Sequence, residues 1–384
     1  MIPNQRYLFD IPPDVTYLNC AYLSPLLRAV VEAGHIGVDR KLHPWTIDRR
    51  DFFNDLEDVR ALFARLINAV TDDIAIVPAS SYAAAIAGQN LPLRKGQTVI
   101  VLGREHFSNV YQWKMRCRTV DAELVMIDAP AEDGWTGRII DSIDQRTAVV
   151  AVPHFHWHDG SLVDVEAVSV AARAVGAALV LDGTQSIGAT SFDVTRVKPA
   201  FLFCSAYKWL LGPYGIAFLY ADPAHQHGVP LEHHSYNRAG ASELQSNSGY
   251  SDEFMLGARR YDVGERSNFI TLPMLKIALR QLLEWQPGNI QQTLAPLVAA
   301  INQRASDFGL IAPKPKTGAS HFTGLRFPSG IPLTLQSALA DANVHVSLRG
   351  DAVRVSPYLY NTPADIDHLF DALARALGTA PKAP

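Results

Sequence analysis

Between about residue 72 and residue 220 the chain alternates short apolar runs with longer amphipathic stretches. The runs at 74–77, 98–102, 124–127 and 148–152 are rich in β-branched residues, and 178–181, 201–203 and 216–220 continue the series. Strands that are apolar on both faces, separated by helix-length stretches such as 161–175, predict a mostly parallel twisted sheet covered by helices on both sides. Sheets of that kind bind ligands beyond the carboxyl ends of their strands.

The pattern then changes. Residues 222–268 are polar, with Gly228, Gly240, Gly249, Gly257 and Gly264, and read as a long irregular segment of the functional kind, expected to fold over the site. Helices are predicted at 272–285 and 289–308, divided by Pro287-Gly288. Next come a strand at 322–327, a helix at 333–342, a strand pair at 344–348 and 352–355, and a helix at 363–377. At 384 residues the chain exceeds the size of one core, so two domains are expected. The division predicted is a large domain over 20–268 and a small α+β domain built from 1–19 and 269–384. The last residues, 381–384, read as a frayed end.

Composition narrows the function classes. Hydrophobic residues make up 48% and charged residues 19%, and 34 Lys+Arg against 38 Asp+Glu leave a formal charge of −4. No basic stripe points to nucleic acid, no apolar run is long enough to cross a bilayer, and the first residues lack a signal-peptide pattern. Cys20, Cys117 and Cys204 are too widely spaced for a disulfide framework or a zinc motif. A cytoplasmic protein is expected.

Chemistry enters with Asp182 and Lys208. The run at 178–181 delivers Asp182 at its carboxyl end, and the run at 200–204 delivers Lys208 just past its own. A carboxylate and an amine at one sheet edge suit pyridoxal phosphate (PLP): the lysine forms a Schiff base with the aldehyde, and the aspartate keeps the pyridine nitrogen protonated. Tyr207 and Trp209 flank Lys208 and would lower its pKa with apolar walls. Taken singly, Asp182 fits a helix N-cap and Lys208 a surface loop; together they favour the cofactor. Ser80 and Ser81, where a strand gives way to an Ala-rich helix, and Ser205 suit a phosphate. His106 suits stacking on a planar ring or acid/base work. Arg354, in an apolar strand, needs an anionic partner, either a substrate carboxylate or a structural acid.

The strongest competing chemistry is the run His154, His156, His158. On an extended segment these side chains share a face, so three imidazoles could bind zinc for a hydrolase. The pair His233-His234 reads as part of a loop.

With Asp182, Gln185, Lys208 and Arg354 in hand, the chain resembles the class V aminotransferase group of PLP fold-type I enzymes, in the branch of cysteine desulfurases, kynureninase and isopenicillin-N-epimerase-like proteins. The resemblance runs from Tyr17-Leu18-Asn19 to Tyr360-Asn361-Thr362. It implies an α/β fold of type I and a homodimer with shared active sites. It makes Lys208 the Schiff-base lysine and Asp182 the partner of the pyridine nitrogen. It places Gln185 and His154 near the phenolic oxygen, Ser80, Ser81 and Ser205 at the phosphate, and His106 over the ring. Arg354 would grip the substrate α-carboxylate, Asn19 would also contact the substrate, and the 260–268 stretch ending in Asn268 would reach the neighbouring subunit's phosphate. No metal is implied.

Two departures bear on the reaction. Desulfurases carry a sulfur-accepting cysteine shortly before the carboxylate arginine, whereas the matching stretch here, 343–350, has none. Tyr207 stands where they place a histidine. The expectation is an enzyme in which Lys208 removes the α-proton of an amino acid, followed by β-elimination (C–S lyase) or transamination, with epimerisation as the alternative. A non-catalytic PLP-binding scaffold is the rival outside enzymes.

Overall fold

The computed structural model describes residues 1–128, 134–241 and 250–378; Gly249 and the 381–384 terminus lie outside the described residues. A short strand, β1 (Thr16–Tyr17), and two helices, α1 (Arg28–Arg40) and α2 (Asn54–Leu66), precede the predicted alternation. It runs β2 (Ile74–Val77), α3 (Ser80–Asn90), β3 (Thr98–Leu102), α4 (Phe107–Val120), β4 (Glu123–Ile127) and α5 (Trp135–Asp141). It continues β5 (Thr147–Pro153), α6 (Val165–Ala174), β6 (Ala178–Asp182), α7 (Val194–Val197), β7 (Phe201–Ser205) and β8 (Ala217–Ala221).

These seven strands, β2 to β8, form one sheet in the order β2-β8-β7-β6-β5-β3-β4. The strands from β7 to β4 are parallel, and β8 runs antiparallel to both its neighbours. Every residue of β2, β3, β7 and β8 is buried, because helices cover both faces; hence the absence of polar alternation in the runs. The chain moves outward from β3 to β4 and then returns to β5 on the opposite side of β3. That reversal opens a crevice at the carboxyl ends of β3, β5 and β6, where the fold presents Glu105, His106, the 154–157 stretch and Asp182.

The C-terminal third contains α8 (Thr271–Trp285), α9 (Pro287–Asp307), β9 (Thr323–Arg326), α10 (Leu335–Asp341), β10 (Val344–His345), β11 (Ser347–Arg349), β12 (Ala352–Val355) and α11 (Pro363–Leu377). The helix predicted at 289–308 begins at Pro287, whose ring suits a first helical turn; the break falls at Gln286, with φ +62°. The strand predicted at 344–348 is divided. Val344–His345 pairs in parallel with β1, while Ser347–Arg349 turns to pair antiparallel with β12, which in turn pairs with β9.

Two apolar clusters organise the packing of this part. Leu18, Leu325, Val353, Leu369, Phe370 and Leu373 belong to one. Helix α8 instead joins the cluster of the large sheet through Leu272, Leu275, Leu279 and Leu282 and packs on α1 and α2.

The described residues of the irregular 222–268 segment, which was expected to fold over the site, do not line the crevice. In its described part it is held along the edge strand β2 by Asp262. That buried carboxylate accepts from Arg60 Nη2 at 2.8 Å and from the Ile76 amide at 2.7 Å, and it lies 2.9 Å from Arg266 Nε. Among the described residues no helix is long and apolar enough to cross a membrane.

Candidate active site

At the crevice, a cavity of about 230 Å³ is lined by Ser80, Ser81, His106, Asp182, Gln185, Ser205 and Lys208. Seven of the predicted site residues therefore converge. Each is delivered by the end of a strand or the start of a helix: Ser80 and Ser81 open α3, His106 caps α4, Asp182 ends β6, and Ser205 ends β7 just before Lys208.

At one end the hydroxyls gather. Ser80 Oγ is 2.6 Å from Ser205 Oγ and 3.5 Å from Thr184 Oγ1, which also accepts from the Ser205 amide at 3.2 Å. Helix α3 starts after Ala79 with no side-chain cap, so its positive end bears on these hydroxyls. An anion is the natural occupant. Thr184 was not among the predicted phosphate residues, although it belongs to the Asp182-Gly183-Thr184 turn that marked the site.

Asp182 is buried, with Oδ1 fixed by the Thr184 amide at 2.9 Å. Burial pushes the Lys208 ammonium down to about 8; the Arg354 charge adds to this and Asp182 opposes it. Lys208 Nζ lies 5.4 Å from the centre of the Tyr207 ring. The other predicted wall, Trp209, is not one. Its ring is fully buried and its Nε1 donates to Gln185 Oε1 at 2.8 Å. Gln185 Nε2 donates to the Ala21 carbonyl at 3.1 Å, which leaves one amide hydrogen for a ligand.

His106 accepts from the Ser108 amide through Nδ1 at 3.4 Å, and its ring meets Trp157 edge-on with centroids 5.5 Å apart. Burial holds its pKa below the usual histidine value. The preceding residue, Glu105, was missed by sequence reasoning. It is buried, its Oε1 accepts the His106 amide at 2.5 Å, and burial next to Asp182 raises its carboxyl to about 8. Trp157 and Tyr214 also line the cavity without having been predicted.

Four predicted residues do not line this cavity. His154 faces a separate cavity with Phe192 and Asp164, stacks on Phe155, and does not join Gln185. Asn19 is buried with its Oδ1 accepting from Ser347 Oγ at 2.7 Å. Asn268 is exposed and accepts the Ile270 and Thr271 amides at the start of α8. Arg354, in β12, is 1% exposed, and its Nη1 donates to the Trp157 carbonyl at 2.6 Å.

The three histidines do not form a zinc site. The 154–163 stretch closes as a tight hairpin, with His156 N bonded to the Ser161 carbonyl and Phe155 bridged to Leu162. His156 then stacks on Trp135 and meets the Gly103 carbonyl, away from His154. Among the described residues no group of three His, Cys, Asp or Glu side chains could hold a metal ion.

The family model described as aminotransferase class-V matches residues 42–248, more than half of the chain. The chain belongs to the class-V aminotransferase family. A probable cysteine desulfurase of Methanothermobacter thermautotrophicus is 37% identical over 170 residues, 44% of this chain and 42% of that relative. This chain thus matches less than half of that protein's length. An uncharacterized aminotransferase of Bacillus subtilis, YcbU, is 25% identical over 97% of this chain and 98% of its own. In fold, the chain is similar to a C-DES variant with glycine covalently linked to its PLP cofactor (TM-score 0.86, 16% identity, 98% of this chain and 100% of the other). It is also similar to the cysteine desulfurase CsdA of Escherichia coli (TM-score 0.80, 20% identity, 97% of each chain).

This class-V family member has the PLP fold-type I architecture, and its cofactor is PLP. The residues present fit that group. An anion-binding hydroxyl cluster at a helix start, a buried amine and a buried carboxylate border one cavity.

Proposed function

We propose that the protein is a PLP-dependent C–S lyase, cleaving the Cβ–S bond of a cysteine-type amino acid by β-elimination without taking the sulfur onto itself. The observation that carries this reading is the state of the cysteines. Cys20, Cys117 and Cys204 are all buried and none lines the cavity. Burial pushes all three thiols up, so each stays protonated and unreactive. No enzyme thiolate is placed to attack the substrate's sulfur, which must therefore depart with the substrate's own leaving group.

The roles follow from position. Ser80, Ser81, Thr184, Ser205 and the start of α3 would hold the phosphate, Lys208 would hold the cofactor through its amine, Asp182 would pair with the pyridine nitrogen, and His106 would cover the ring. Gln185 would offer its remaining amide hydrogen to the phenolic oxygen. Bound PLP supplies a protonated ring that stabilises negative charge at the substrate Cα. Arg354 would orient the α-carboxylate, and Asn19, just after β1 and held by Ser347 of β11, would assist it. Lys208, easily made neutral, would then take the Cα proton, and the Cβ–S electron pair would leave on sulfur. Hydrolysis completes the balance: substrate and one water give a thiol, pyruvate and ammonium.

Aminotransfer is the second reading, supported by the similarity to YcbU over nearly the whole chain. Incubation with a cysteine S-conjugate and no amino acceptor separates the two. The lyase reading requires equal amounts of thiol and pyruvate. Keto acid formed only with an acceptor means aminotransfer, and inversion of the amino acid without either means epimerisation.

We also infer a cytoplasmic location, supported by three free cysteines, and a homodimer, supported by the resemblance to the family. In such a dimer the exposed Asn268 is free to approach the other subunit's phosphate. The two-domain division at 20–268 against 1–19 and 269–384 is retained as part of this reading. The separate apolar cluster around β9, β11 and β12 supports it, with α8 packing back onto the large domain.

A further inference from the structure

Two arginines stand close together beside the cavity with no anion to match them. Arg354 has its Nη1 on the Trp157 carbonyl and a buried Nε without a partner. The Arg349 guanidinium is clamped between two aromatic rings, 5.3 Å from the centre of Tyr22 and 5.1 Å from that of Trp157, and its Nε is also buried and unpartnered. Among the described residues neither forms an ion pair. Burial lowers both pKa values, and the Arg349 charge lowers that of Arg354 further.

Arg349 lines a cavity of about 490 Å³ that shares Trp157 as a wall with the cofactor cavity. The two acids of this second cavity do not compensate it. Glu105 is raised to about 8 and is neutral at pH 7, and Asp351 is engaged by Arg104 at 3.4 Å and His158 at 3.7 Å. A half-buried guanidinium clamped between two rings, with a buried unpartnered Nε and no ion pair to meet its charge, is prepared for an anion that arrives from outside. One α-carboxylate satisfies Arg354. The position of Arg349, beyond Trp157 and His106, suits a second negative group farther along the substrate.

We propose that Arg349 is a specificity-determining residue that binds a carboxylate at the distal end of the substrate side chain while Arg354 holds the α-carboxylate. The substrates preferred are therefore sulfur-linked amino acids carrying two carboxylates. This rests on the amino-acid-binding reading above and deepens it.

The test uses the PLP-loaded enzyme and two nearly isosteric probes, S-carboxymethyl-L-cysteine and its neutral counterpart S-carbamoylmethyl-L-cysteine. Affinity is read from the change in cofactor absorbance on titration, and pyruvate is assayed in parallel. The wild-type protein should bind the carboxymethyl compound at least about tenfold more tightly, the scale of one charge-assisted hydrogen bond. Arg349→Gln should bring that ratio to near one, and Arg349→Lys, which keeps the charge, should restore part of it. A wild-type ratio near one, or a ratio that survives in Arg349→Gln, overturns the proposal. Preferential binding without pyruvate would keep the subsite and remove the lyase reading; pyruvate from both probes with a ratio of one would do the reverse.

Discussion

Ser80 Oγ and Ser205 Oγ lie 2.6 Å apart although 125 residues separate them in the chain. One opens α3 after the edge strand β2 and the other closes β7, so the contact joins two ends of the sheet's burial pattern at a single point. Thr184 completes the group. Ser205→Ala removes one hydroxyl donor from the phosphate subsite, and a hydrogen bond to a charged group is worth about 1.5–3 kcal/mol. PLP affinity, measured by titrating the apoprotein, should fall by about tenfold or more. An unchanged dissociation constant would place the phosphate elsewhere.

Arg354 shows a conflict between stability and function. It is buried, its pKa is pushed down to about 9, and among the described residues it forms no ion pair. Arg354→Met should therefore leave the substrate-free protein as stable as wild type or more so in denaturant unfolding, since an uncompensated buried charge costs free energy. The same change should weaken amino-acid binding by about 2 kcal/mol or more. Loss of stability in place of gain would show that Arg354 is structural.

Glu105 makes a pH prediction. With its folded pKa raised to about 8, the folded protein holds a proton that the unfolded chain releases near the ordinary carboxyl value of 4.5. The stabilisation tied to this group is complete below about 4.5 and is lost as pH rises toward 8. Glu105→Gln keeps the acceptor for the His106 amide and removes the titration. Unfolding free energies between pH 5 and 8 should decline less in the variant than in wild type; parallel curves would contradict the assignment.

Asp262 anchors the irregular segment by meeting Arg60 and Arg266 where neither side chain sees water. Asp262→Ala leaves both cations buried without that carboxylate, a change that typically costs about 3–5 kcal/mol. Chemical denaturation should show a loss of that order, and a loss below about 1 kcal/mol would mean that the ion cluster is not what fixes the segment.

The strands of the large sheet were legible because burial on both faces removes polar residues from them, and the Asp182 and Lys208 pair was legible because both follow such runs directly. What sequence could not settle is where the chain turns away from simple alternation. His154 and His156 share parity but are separated by the 154–163 hairpin, which is closed by main-chain bonds of His154 and His156 and not by their imidazoles. Val344 to Leu348 reads as one strand, yet its two halves serve different partners, β1 and β12, distant in the chain. Trp157 is held at the site by tertiary contacts with no local signal, its carbonyl accepting from Arg354 and its Nε1 donating to the Arg104 carbonyl. The site of Glu105 is likewise a product of burial and that of Arg349 of its contacts with Tyr22 and Trp157, which composition does not reveal.

The central claim is that Lys208 and Asp182 bracket one pyridine ring. Borohydride reduction of the PLP-loaded protein followed by peptide mass spectrometry tests it most directly. A pyridoxyl phosphate adduct is expected on Lys208, absent from Lys208→Ala together with the visible absorbance band. An adduct on another lysine, or a visible band that persists in Lys208→Ala, would contradict it.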